Sequence, residues 1–167
     1  LRVYHSNPKS PASVPTELLL ELGNCELTDT LLGQQFTYDV DSFWQVNLPI
    51  FERALTDIRT HLAAPRVVDL YAGAGSIGLS VAGQAATLVE LDTATAAMAA
   101  VNAAASPLET EVIQTSAEAA LEHIVSDLPL TLDPPRAGLH LRVVQRILEV
   151  RPPRIAYLSC NPSTQAR

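Results

Sequence analysis

Five places in this chain hold residue types that could do chemistry, and they recur at the same point of a repeating pattern. Gly73, Gly75 and Gly78 stand at GxGxxG spacing directly after the apolar run Val67-Val68-Asp69-Leu70, a strand-to-helix turn that lets backbone approach a nucleotide-like ligand. Asp69, inside that strand, hints at a ligand other than a dinucleotide. Glu90 ends a second apolar run, where a carboxylate can accept both hydroxyls of a ribose; as an alternative, it is an acid favoured by a helix N-terminus. Asp92 fits that alternative better, as an N-cap beside Thr93.

Ser116 follows a third run, and Asp133-Pro-Pro-Arg-Ala-Gly138 follows a fourth. Two prolines can extend neither a central strand nor a helix, so they stiffen a loop. A rigid loop suits Asp133 to grip a planar base or a polar substrate edge. Arg136 faces phosphate or carboxylate bidentately, or pairs with Glu149. Cys160 ends the fifth run, before Asn161-Pro162 and among arginines that would favour its thiolate; in isolation a cysteine reads as a small buried hydrophobe. Cys25 has no such setting and reads as structural. His5, His61, His123 and His140 lack metal-ligand spacing and read as surface or packing residues, so no metal is expected.

The elements that must position these groups alternate strand and helix. Strands are expected over 67–70, 86–91, 111–114, 128–132 and 154–159, and helices after the glycine turn through Ile77, Leu79 and Val81, over 93–105, from 118 to 125, and over 138–150. This rhythm predicts an α/β fold, a doubly wound and mostly parallel sheet, with every special residue on the carboxyl rim where ligands sit. An amphipathic helix over Leu48–Leu62 precedes it, and one of two open readings of Phe43 and Trp44 is that they simply seal its packing. Residues 1–42 differ: a strand at Leu1–His5, a proline-rich linker from Asn7 to Pro15, and two short strands around Gly33. They read as the tail of a preceding β-rich, RNA-binding region, leaving 43–167 as the ligand-binding domain.

Composition bounds the function. The chain has 167 residues, 47% hydrophobic and 17% charged, enough for a real core. No apolar run approaches the roughly 18 residues of a membrane helix, and two cysteines make no disulfide framework. A cytoplasmic, reduced protein without membrane contact is expected. The net charge of −7 is uneven. Residues 1–135 hold 5 Lys or Arg against 17 Asp or Glu; residues 136–167 hold 6 Arg against Glu149. That basic end is either a phosphate-facing surface or a solvated helix face.

Three segments together, Phe43-Trp-Gln-Val-Asn47, Asp133-Pro-Pro-Arg-Ala-Gly138 and Tyr157-Leu-Ser-Cys-Asn-Pro-Ser-Thr164, resemble the RNA 5-methyluridine methyltransferases. That S-adenosylmethionine-dependent family acts on transfer or ribosomal RNA. The resemblance covers about residues 30–167. It implies a Rossmann-like methyltransferase domain, S-adenosylmethionine as cofactor and RNA as partner, with no obligate protein partner. Cofactor contacts are expected from Gln45, Asp69, Tyr71, Gly73, Gly75, Ser76, Glu90, Ser116 and Asp133, substrate contacts from Arg136 and Asn161, and Cys160 as nucleophile. In that family the proton-abstracting glutamate lies in a later segment, so the chain is expected to be an incomplete domain, truncated at its C-terminal end, without its general base. Which RNA and which uridine are modified is not legible. Cytosine-5 methylation uses the same attack at carbon 6, but there a cysteine commonly follows the proline where Arg136 stands here. A nicotinamide-dependent oxidoreductase would explain the glycines and Glu90 but neither the Asp133 nor the Cys160 segment. A non-catalytic nucleotide- or RNA-binding module is the third reading.

Overall fold

A computed structural model of the chain describes residues 1–6 and 15–159. In chain order the elements are β1 (Arg2–Ser6), β2 (Pro15–Glu21), β3 (Glu26–Leu31), β4 (Gln34–Asp39), α1 (Leu48–Leu62), β5 (Arg66–Leu70), α2 (Ser76–Val81), β6 (Ala85–Glu90), α3 (Thr93–Ala105), β7 (Glu109–Gln114), β8 (Leu130–Leu132), α4 (Leu141–Val150) and β9 (Ile155–Tyr157). The last five strands form one sheet in the order β7-β6-β5-β8-β9, and every pairing in it is parallel. This is the expected doubly wound arrangement. The strand order reverses direction between β5 and β8, which opens a crevice at their carboxyl ends.

Sheet residues alternate between two cores. Val67, Ala86 and Leu88 pack with α1, α2 and α3 on one face, while Val68, Leu70, Val89 and Leu132 pack with Val143 of α4 on the other. Helix α1 matches its apolar stripe, burying Phe51, Leu55, Ile58 and Leu62. Asn47 caps it by accepting from the Ile50 amide at 3.3 Å. At its other end, Arg154, just before β9, donates to the carbonyls of His61 (2.7 Å) and Leu62 (3.1 Å). The C-terminus of α1 is thereby fixed at the amino edge of the sheet, and the helix runs back so that residues 43–47 lie toward the carboxyl edge.

Strands β3 and β4 form a hairpin whose turn, Leu32 and Gly33, has positive φ at both positions (50° and 81°). Glu52 of α1 accepts from the Leu32 amide at 2.7 Å. Leu31 and Phe36 of this hairpin are fully buried in the same core as α1, so residues on both sides of position 42 build one core. Strands β1 and β2 form a second hairpin. Arg2 ties it to the first, donating to Glu21 (2.6 Å), Asp39 (2.6 Å) and Asp41 (2.7 Å).

The structure differs from the sequence reading at three places. The helix predicted from 118 to 125 is two short 3₁₀ turns, Ala117–Ala119 and Leu121–His123. Ala117, Ala120 and Ile124 are buried at helical spacing, but their backbone closes i→i+3 bonds such as Ile124 N–H to the Leu121 carbonyl at 3.1 Å. Strand β2 went unpredicted because Leu18, Leu19 and Leu20 are all exposed and show no alternation. Phe43 does not seal α1: it is 78% exposed, and Trp44 alone turns inward to stack on Tyr38 with ring centroids 4.4 Å apart. The proline-rich linker lies mostly outside the described residues.

Candidate functional site

Parallel pairing puts the carboxyl ends of all five strands on one edge. It gathers there Tyr71, the glycine turn, Glu90, Ser116, Asp133 and the Tyr157–Ser159 exit from β9. Gln45, half-buried, lies toward the same edge from the α1 side. The Leu158 amide donates to the Leu132 carbonyl at 2.8 Å, so the chain leaving β9 passes beside Asp133. Cys160 and Asn161 lie outside the described residues.

The turn itself is left-handed at Tyr71, Gly73 and Gly75 (φ 63°, 57° and 84°). Glycine adopts such angles without strain, whereas Tyr71 must be held in place. Burial pushes its pKa above the ordinary tyrosine value, against the opposing effect of the His140 backbone. Gly75 and Gly78 serve packing as well as conformation. A Cβ at Gly78 would lie 2.5 Å from Leu88 Cδ2 and 3.0 Å from the Asp69 carboxylate.

Three side chains hold the turn from three directions. Glu90 accepts from the Gly73 amide at 2.8 Å and, with its other oxygen, from the Asp92 amide at 2.8 Å. A carboxylate has acceptor capacity beyond two bonds, so Glu90 can still receive hydroxyls from its open side. Asp92 is the N-cap of α3, accepting from Thr95 at 2.8 Å. Asn102 of α3, buried, donates to the Ala74 carbonyl at 2.9 Å. Asp69 accepts from the Gly78 amide at 2.8 Å and from the Thr131 hydroxyl at 2.6 Å. Asp69 is fully buried, which places it beneath the turn and not on the face a ligand would touch. Burial, opposed by those two hydrogen bonds, pushes its pKa up to about 7.

Asp133 is the opposite case. It is half-buried, burial raises its pKa, and its carboxylate has no hydrogen-bond partner among the described residues. Its exposed oxygens are open to a donor from a ligand. Ser76 and Ser116 are half-buried at the starts of α2 and of the first 3₁₀ turn. Arg136 is exposed and does not pair with Glu149, which is bound instead by Arg146 at 3.2 Å. Among the described residues no group of three or more His, Cys, Asp or Glu could hold a metal. Nor is any helix among them long and apolar enough to cross a membrane.

Sequence reasoning missed Asn102 and His140. The first lies within the alanine-rich run Ala99–Ala105, where its burial had no outward sign. The second caps α4, its Nδ1 accepting from the Arg142 amide at 3.2 Å.

No family model matches the chain. It is 33% identical over 176 residues to an uncharacterized RNA methyltransferase of Enterococcus faecalis, an alignment that takes in 99% of this chain and 38% of the relative. It is 34% identical over 152 residues to one of Thermosynechococcus vestitus, with 87% and 34% covered. The chain thus spans between a third and two fifths of the length of these curated relatives. In fold it is similar to the Pyrococcus abyssi tRNA (uracil-54, C5)-methyltransferase, solved with S-adenosyl-L-homocysteine. The TM-score is 0.82 at 24% identity, over 99% of this chain and 42% of that one.

Proposed function

From its homology to the RNA methyltransferases and its Rossmann-like methyltransferase fold, we propose that this chain carries the S-adenosylmethionine site and nucleophile of an RNA (uracil-5)-methyltransferase. The observation that carries the cofactor reading is the rim itself. Its glycine turn, the open side of Glu90 and the carboxylate of Asp133, which has no partner among the described residues, stand together over the β5/β8 crevice. These groups fit an adenosine: Glu90 would take the ribose hydroxyls and Asp133 would accept from the exocyclic amine of the base. Gln45, Tyr71, Ser76 and Ser116 would close around the remainder, with Asp69 acting through the turn from below.

The bound cofactor would supply an electrophilic methyl group. Carbon 5 of uracil is too weak a nucleophile to take it unaided. Cys160 would answer that need by attack of its thiolate on carbon 6, which pushes electrons through the ring and makes carbon 5 nucleophilic. Once carbon 5 is methylated, a general base would remove its proton and the cysteine would leave, restoring the double bond. Arg136 and Asn161 would hold the substrate, Arg136 by pairing with phosphate. A uridine of transfer or ribosomal RNA is the proposed substrate.

The test uses the protein at its full natural length, uridine-containing RNA and methyl-labelled S-adenosylmethionine. Label is expected at carbon 5 of uridine, and Cys160→Ala is expected to abolish incorporation while still binding S-adenosylhomocysteine. Methylation by Cys160→Ala at the wild-type rate would overturn the mechanism.

A further inference from the structure

The side chain of Asn102 makes three hydrogen bonds while only 2% exposed. Its Oδ1 accepts from the Thr37 amide at 2.7 Å, and its Nδ2 donates to the Thr37 carbonyl at 2.9 Å. The same Nδ2 donates its second hydrogen to the Ala74 carbonyl at 2.9 Å. Each polar group has found a partner, and each partner is backbone. Toward β4 the amide behaves like one peptide unit of a third strand, satisfying the outward N–H and C=O that Thr37 cannot pair within the hairpin. Toward the turn it fixes the Ala74–Gly75 peptide, between the left-handed Gly73 and Gly75.

A carboxylate here would face two carbonyl oxygens with no proton to offer, and an apolar residue would leave three backbone groups without this partner, the Ala74 carbonyl among them buried. Only a primary amide of this length answers all three. Hairpin packing alone does not require the third bond, because Leu31 and Phe36 already bury the hairpin and Glu52 already anchors its turn.

We propose that Asn102 is a positioning residue for the cofactor: it presets the Ala74 peptide and makes cofactor binding and the seating of β4 depend on each other. The proposal rests on the cofactor reading above. A ligand that tightens the turn therefore also tightens Thr37, through a single rigid side chain, and a loosened hairpin weakens the ligand.

The experiment is calorimetry with S-adenosylhomocysteine on wild type, Asn102→Ala and Asn102→Asp, together with amide hydrogen exchange of the wild type with and without that ligand. Both variants are expected to bind at least about tenfold more weakly, as the loss of a buried hydrogen bond implies. In the wild type the ligand is expected to slow exchange at the Thr37 amide, outside any direct contact with it. If the variants lose thermal stability but bind with wild-type affinity, Asn102 is a packing residue and the proposal is wrong. The proposal also falls if the ligand leaves Thr37 exchange unchanged, a result that needs no variant to fold. Failure of the wild type itself to bind S-adenosylhomocysteine would instead bring down the cofactor reading.

Discussion

Two aspartates one strand apart have opposite fates, set by what surrounds each carboxylate. Asp133 stands half-exposed on the rim with no donor among the described residues, whereas Asp69 sits fully buried and is answered from both sides. The sign of the Asp69 effect follows from its raised pKa. An unfolded aspartate releases its proton near pH 3.8, while the folded one keeps it until about 7. Between those values the native state binds more protons than the unfolded state, so stability falls as pH rises through that window and is level above it. At roughly 1.4 kcal/mol per unit, the loss is about 4 kcal/mol at most. Asn at this position can accept from Gly78 with its oxygen and donate to Thr131, whose hydroxyl can turn to the Val68 carbonyl 3.4 Å away. Asp69→Asn is therefore expected to match wild type near pH 4 and exceed it at pH 8. Urea unfolding at both values checks this, and a constant gap between the two proteins would refute it.

At the scale of elements, the glycine turn works only because its neighbours are shaped to it. Helix α2 lies so close to β5 and β6 that Gly78 leaves no room for a methyl group between Leu88 and Asp69. Gly78→Ala is expected to cost about 1–3 kcal/mol by overpacking, read as a lower urea midpoint. An unchanged midpoint would mean that the packing there is looser than described. The sequence made this region legible because three signals coincide there: a β-branched run, glycines at fixed spacing and an apolar helix stripe. Leu48–Leu62 and Thr93–Ala105 could likewise be read to the residue, since a capping asparagine or aspartate precedes each. Legibility failed where the physics is tertiary. The 117–124 segment has helical spacing of its buried residues, but its backbone closes i→i+3 bonds in two separate turns. Nothing local announces that Asn102 bonds to a strand 65 positions earlier. Asp69 read as a rim residue because its place in the strand was visible and its side chain's direction was not.

Across the whole molecule, charge is sorted by partner more than by position in the chain. Arg2 is taken up by three carboxylates. Arg59 donates to the Ser80 carbonyl at 2.8 Å, Arg146 to the Leu121 carbonyl at 3.2 Å and to Glu149, and Arg154 to the end of α1. The basic C-terminal segment is thus partly internal scaffolding. Arg136, Arg142 and Arg151 remain exposed there without an ion pair among the described residues, and Arg151 caps the far end of α4, away from the rim. Arg136 is the one placed on the Asp133 loop, where the proposed reading needs a phosphate contact. On a protein of net charge −7, such a contact should show in the salt dependence of binding, because each neutralised phosphate releases counterions. Arg136→Ala is expected to weaken RNA binding and to lower the slope of log affinity against log salt by roughly 0.7–1. Arg154→Ala, which removes an equal charge from the amino edge, should instead leave that slope unchanged and lower stability by about 1 kcal/mol through the freed α1 carbonyls. Binding titrations from low to high salt on both variants distinguish a charge that meets RNA from one that holds the fold. Equal slopes for Arg136→Ala and wild type would remove Arg136 from the substrate surface.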